Sequence, residues 1–207
     1  MKNNNQNYIM VNGIKYEIST EKAEELLKDF AFKGNKELGK VKVGDTFKIG
    51  EYEFIALEHT ENGQTVAILK DLLVDNKEFG NNNNYNGSNV DKICNEFAQK
   101  LETLIGTENL CIHTVDLTSA NGMTCYGKIE RKVSLLTLEN LRKYGNILCN
   151  YPLDEWWWLS TSVGTKKWGN ETWVACVSPI GLVNFNYYCN YNGVRPFCVF
   201  SSNIFVS

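Results

Sequence analysis

No stretch of the chain carries a basic block, and 21 Lys and Arg stand against 24 Asp and Glu for a net charge of −3. Phosphate-driven binding leaves an electrostatic footprint, so a nucleic-acid partner is disfavoured. No apolar run approaches the roughly 20 residues of a membrane-spanning helix, and residues 1–7 lack the basic and apolar regions of a secretory signal. We therefore expect no membrane partner, and a location in the cytoplasm or in a particle assembled there. CxxC pairs are absent too. The seven cysteines (Cys94, Cys111, Cys125, Cys149, Cys176, Cys189 and Cys198) are odd in number and dispersed, as expected of reduced, mostly buried thiols. GxGxxG, GxxxxGK[ST], HExxH and GxSxG are all missing, which leaves nucleotide, zinc-protease and α/β-hydrolase chemistry without support. The only histidines, His59 and His113, fall in strand-like segments with no neighbouring nucleophile or orienting group, so both are expected to be structural. No catalytic residue, metal or cofactor is assigned.

Charge is scarcest in one place. Residues 151–207 hold six of the 45 charged side chains but 13 of the 25 aromatics, including all five tryptophans. Asparagine is abundant, 26 in all, with a run at 81–84 and a cluster at Asn184, Asn186, Asn190 and Asn192. A chain of 207 residues suits one domain with a small appendage and is long enough to build a core without disulfides or metals.

Strand-prone runs at 8–11 and 14–18 flank Asn12-Gly13, a strong hairpin signal. Thr20 can cap a helix in which Ala23, Leu26, Leu27, Phe30 and Ala31 recur at helical spacing. Residues 1–40 thus read as a β-hairpin and amphipathic helix, an appendage that offers a route to self-association. Segments 46–49, 52–58 and 64–70 read as an antiparallel meander with turns at Gly50-Glu51 and Asn62-Gly63. The Asn-rich stretch 80–89 suits turns, and Ser88 or Asn89 caps a helix running to Gly106. A strand at 111–117, a loop to Gly127 and a helix opened at Thr137 and ending near Leu148 follow. Strands at 156–161, 172–178, 182–188 and 196–201 fill the last quarter, divided by loops at 164–170, 179–181 and 190–193. Strands and helices that do not alternate point to an α+β fold with small antiparallel sheets, two or three helices and long C-terminal loops.

Tyr and Trp supply rigid contact area while Asn both donates and accepts hydrogen bonds, a pairing used by adaptable recognition loops. Trp168, Asn170, Trp173, Asn184, Asn186, Tyr187, Tyr188, Asn190 and Tyr191 are accordingly the candidate ligand-binding residues. Trp157 and Trp158 are expected to be scaffold, since alternate strand members must face a core. Arg195, alone among uncharged neighbours, is expected to be structural and paired with Asp154, Glu155 or Asp116. A clamp for a ligand carboxylate is its second reading. Gly193 belongs to the same structural turn.

Trp157-Trp158-Leu159-Ser160-Thr161, Val177 to Asn184 and Gly193-Val194-Arg195-Pro196 together resemble the C-terminal signature of an uncharacterised domain family of phage, prophage and gut-bacterial proteins. Val43 to Phe47, Tyr85 to Val90 and Val133 to Thr137 extend that resemblance over residues 41–207. Ser160 stands where the family has an arginine. The same ending is similar to C-type-lectin-like domains of the formylglycine-generating-enzyme type. In phage tropism relatives diversified by retroelements, that fold carries variable Asn, Tyr and Ser positions on its binding face. The resemblance implies a C-type-lectin-like domain at 41–207 that binds a protein or glycan, with a bacterial host the natural source of the ligand. The family's calcium-dependent sugar motifs are missing. Two further readings are an intracellular inhibitor of a host defence protein, and a thiol or copper oxidase built on Cys176, Cys189 and Cys198 if two of them converge.

Overall fold

A computed structural model of the protein describes residues 7–11, 14–22 and 36–207. The N-terminal hairpin pairs β1 (Asn7–Val11) with β2 (Ile14–Ile18) in antiparallel register, and its turn at 12–13 lies outside the described residues. A helix opens at Thr20, but Ser19 is its cap: the Ser19 hydroxyl accepts from the Lys22 amide at 3.1 Å. The apolar stripe expected at Ala23 to Ala31 also lies outside the described residues.

Main-domain packing begins at β3 (Lys36–Glu37), ahead of the expected boundary at 40. Leu38, just after it, is fully buried in the central core. The meander appears as β4 (Thr46–Ile49), β5 (Tyr52–His59) and β6 (Gln64–Leu69). Next come β7 (Val74–Glu78), α1 (Asn89–Ile105), β8 (His113–Asp116), β9 (Lys128–Arg131), β10 (Val133–Ser134) and α2 (Leu138–Leu148). The last quarter contributes β11 (Trp157–Ser162), β12 (Trp173–Val177), β13 (Val183–Tyr187), β14 (Tyr191–Val194), β15 (Phe197–Ser201) and β16 (Phe205–Val206). Residues 190–193, expected as a loop, instead build most of β14. It joins β7 antiparallel and touches β11 in a single parallel bridge, Trp157 to Gly193. Glycine at 193 leaves room for the Leu72 side chain, which a Cβ there would overlap.

The architecture is α+β and predominantly β. One five-stranded sheet has the order β10-β15-β6-β5-β4 and the other β13-β12-β11-β14-β7, with β1–β2, β3–β16 and β8–β9 as two-stranded additions. The inner strands β5, β6, β11, β12 and β15 are buried on both faces and show continuous apolar runs more than alternation, whereas the edge strands β7 and β13 are largely exposed. Phe54 and Ala56 of β5 face one core with Phe97 and Leu101 of α1, while Ile55 and Leu57 face the other with Leu141 and Tyr144 of α2. Adjacent tryptophans divide likewise: Trp158 enters the α1 core and Trp157 the α2 core.

Caps set the helix limits. The Ser88 hydroxyl accepts from the Asp91 amide, and α1 stops at Gly106, whose φ of 85° suits glycine. Thr137 and Asn140 form a capping box at the start of α2.

Both histidines hold structure. His59 bridges the Thr65 hydroxyl at 2.9 Å and the Val41 carbonyl at 2.6 Å. The His113 Nε2 lies 2.9 Å from the Ser134 hydroxyl, its buried Nδ1 makes no well-formed hydrogen bond among the described residues, and its ring meets Phe197 edge-on. Burial pushes the His113 pKa down to about 4. The folded state thus keeps neutral an imidazole that the unfolded chain protonates near 6.5. Its contribution to stability is complete above that value and is lost as pH falls from about 6.5 to about 4. Urea unfolding at pH 7.5 and pH 4.5 should show wild type losing about 2.5 kcal/mol more than His113→Gln. Equal losses would mean that His113 does not titrate in this window.

Candidate functional site

The register of β12 with β13 decides which C-terminal side chains can act together. Trp173 opposes Tyr187, Ala175 opposes Phe185 and Val177 opposes Val183, and these six side chains share one face. Asn184 and Asn186 point to the other, beside Cys176 and Val174.

On the first face, β13 is the sheet edge and leaves Val183, Phe185 and Tyr187 exposed by 44%, 39% and 43%. Tyr187 lies over half-buried Trp173 with ring centroids 4.0 Å apart, a cross-strand aromatic pair. Ile180 and Leu182, exposed by 80% and 61%, extend the apolar surface to the hairpin turn. No charged residue interrupts it between Glu171 and Arg195.

The stripe runs into a cavity of about 360 Å³ between α2 and the turn joining β12 to β13. Leu141, Gly145 and Leu148 of α2 form one wall, Val177, Ile180 and Val183 the other, and Trp157 and Arg195 also line it. The expected pairing of Arg195 with Asp154, Glu155 or Asp116 does not occur. Its Nε and Nη2 donate instead to the carbonyls of Leu69 (2.9 Å) and Lys70 (2.7 Å), and its guanidinium lies over the Trp157 ring at 5.3 Å. Asp116 is occupied by Lys128 at 2.9 Å. The reason is placement: Arg195 precedes β15, which pairs with β6, and so lies at the end of β6, where the carbonyls of Leu69 and of Lys70 just beyond it accept from the guanidinium. Burial lowers its pKa to about 10.

The nine candidate recognition residues are dispersed. Trp173 and Tyr187 lie together in the stripe. Asn186 donates to the Asn192 Oδ1 at 3.2 Å and accepts from Asn190 at 2.6 Å, an amide chain on the opposite face. Tyr188 is half-buried against the α1 core. Tyr191 is exposed near Glu78, Trp168 projects by itself from a short turn, and the Asn170 backbone is tied to Asn83. Phe185, Val183, Ile180 and Leu182 were missed as site residues, although the period-two spacing of 183, 185 and 187 was there to find them.

Asn184 and Asn186 also guard the edge. Tyr188 donates its backbone N–H to Thr172 across β12, so alternate residues 183, 185 and 187 direct theirs outward. The Asn184 Oδ1 takes the Phe185 N–H at 2.8 Å, and the Asn186 Oδ1 takes the Tyr187 N–H at 3.0 Å. An apolar edge with free donors invites strand pairing. The double variant Asn184→Val, Asn186→Val should therefore self-associate, raising the light-scattering mass with concentration above that of wild type. An unchanged mass would show that the amides do not protect this edge.

The described cysteines are all free thiols. Burial pushes the pKa of Cys176 up to about 11 and that of Cys198 well above its ordinary value, the opposite of what a nucleophilic thiolate requires. No described helix is long and apolar enough to cross a membrane. Comparison with family models, curated proteins and solved structures finds no match to the chain.

Proposed function

We propose that residues 41–207 form a C-type-lectin-like recognition domain of phage or prophage origin that binds a protein or glycan and performs no chemistry on it. One observation carries this reading: the uncharged stripe of Val183, Phe185 and Tyr187, backed by Trp173 and continued by Ile180 and Leu182. Monomers seldom leave such a patch open without use, and rigid aromatics at its centre are the side chains from which interfaces draw most of their affinity. The resemblance at Trp157 to Thr161 and Gly193 to Pro196 supports the family reading, and the raised thiol pKa values speak against an oxidase.

The test compares wild type with Phe185→Ser, Tyr187→Ser on a glycan array and on intact bacterial cells. Wild type should be retained on at least one of these and the variant about tenfold less or worse. Equal retention of two folded proteins, or retention of neither, overturns the reading.

A further inference from the structure

Arg195 is 1% exposed and, among the described residues, has no carboxylate within ion-pairing distance; Asp71 acts on it only from farther away. A buried guanidinium ordinarily has an anionic partner, because carbonyl dipoles offset only part of the cost of removing the charge from water. Its Nη1 makes no hydrogen bond with any described residue, and Arg195 lines the cavity beneath Trp157. A second arginine, Arg142, stands at the cavity wall, yet no Asp or Glu lines it. Arg142 is exposed and already paired with Glu139 at 3.6 Å, so the buried charge of Arg195 beside an otherwise apolar space is what complements a ligand with one negative charge and a greasy body.

A second feature concerns the space itself. Gly145 sits inside α2, where glycine costs about 1 kcal/mol relative to alanine. A Cβ there would meet nothing within 4 Å. Neither packing nor backbone conformation asks for glycine at this position, whereas a larger side chain would project into the cavity. At about 360 Å³ the space lies within the range of small-molecule pockets, roughly 300–1,000 Å³.

We infer that this cavity binds an amphiphilic monocarboxylate, its carboxylate on Arg195 and its apolar body between Leu141, Leu148 and Val183. The cavity adjoins the aromatic stripe and shares Ile180 and Val183 with it, but Arg195 and Gly145 lie outside the stripe and Phe185 and Tyr187 outside the cavity lining, so either reading can fail without the other.

Calorimetric titration with decanoate, naphthalene-2-acetate and 1-decanol tests it on the full chain. At least one carboxylate should bind about tenfold or more tightly than decanol, the tighter of the two identifying the body as aliphatic or aromatic. Arg195→Met should remove that preference. Should Arg195→Met fail to fold, Gly145→Leu still decides: it should keep or raise the Tm and abolish carboxylate binding. Decanol binding as well as the acids, no binding of either acid, or a folded Gly145→Leu that binds like wild type would each overturn the assignment.

Discussion

Asn83→Ala should lower the unfolding free energy by about 3–4 kcal/mol and free the loop carrying Trp168 and Asn170. Asn83 is fully buried, and its Nδ2 faces the carbonyls of Gly164 (3.0 Å), Asn170 (3.1 Å) and Trp173 (3.1 Å). Its Oδ1 accepts from the Tyr126 hydroxyl at 2.7 Å, and its backbone N–H donates to Glu171. Alanine leaves the backbone bond but strands the Gly164 and Asn170 carbonyls and the tyrosine hydroxyl. The Trp173 carbonyl loses less, since it also accepts from the Val163 amide. Asn83→Asp separates lost donors from lost volume, because an ionised carboxylate has the same shape and donates nothing. We expect it to destabilise at least as much as alanine. Urea unfolding measures the cost and hydrogen exchange over 164–173 locates it; a loss below about 1 kcal/mol for both variants would remove Asn83 from this role.

Asp91→Ala should cost about 3–5 kcal/mol, because it strands a largely buried arginine. The Asp91 carboxylate is 2% exposed and receives a two-pronged contact from Arg131, Nε and Nη2 each at 2.8 Å. It also accepts from the Gly87 amide at 2.8 Å and sits in the first turn of α1, where the helix dipole favours negative charge. Asp91 therefore ties β9, the Asn-rich loop and the helix start together. Asp91→Leu combined with Arg131→Met should recover most of the loss, since an apolar pair of similar size removes both charges at once. The exposed pair Arg142–Glu139, at 3.6 Å, is the contrast: Glu139→Gln should change stability by less than about 0.5 kcal/mol. A double-mutant cycle by chemical denaturation measures both, and similar costs at the two sites would contradict the role of burial.

Where local chemistry suffices, the sequence shows the fold clearly. Gly50-Glu51 and Asn62-Gly63 place the β4–β5 and β5–β6 turns, Ser88 and Gly106 bound α1, and Thr137 opens α2. Asn82 and Asn84 accept from backbone amides two residues on, the turn chemistry expected of the 80–89 stretch. β7 was not visible because Asp75, Asn76, Lys77 and Glu78 carry no apolar period. It is an edge strand, held by a partner more than a hundred residues away in sequence. β14 was hidden for a related reason: Asn192-Gly193 has turn composition, and only the closeness of Leu72 and Trp157 makes the glycine a strand residue.

The candidate site was legible as a composition and not as a surface. By itself the sequence determined that the last quarter is poor in charge, aromatic and rich in amides, that it is made of strands, and that the helices lie elsewhere. Tertiary structure decided which side of each strand is used. Alternation along β13 sends Val183, Phe185 and Tyr187 to one face and the amides to the other, and this split depends on pairing with β12, which sets the register. It also decided the partners of Arg195. An arginine among uncharged neighbours suggested an ion pair with Asp154, Glu155 or Asp116, but the path of the chain beside β6 gave the guanidinium two carbonyls and a cavity wall instead. Hydrogen-bonding capacity belongs to residue type, whereas the partner that fills it is fixed by which strands become neighbours.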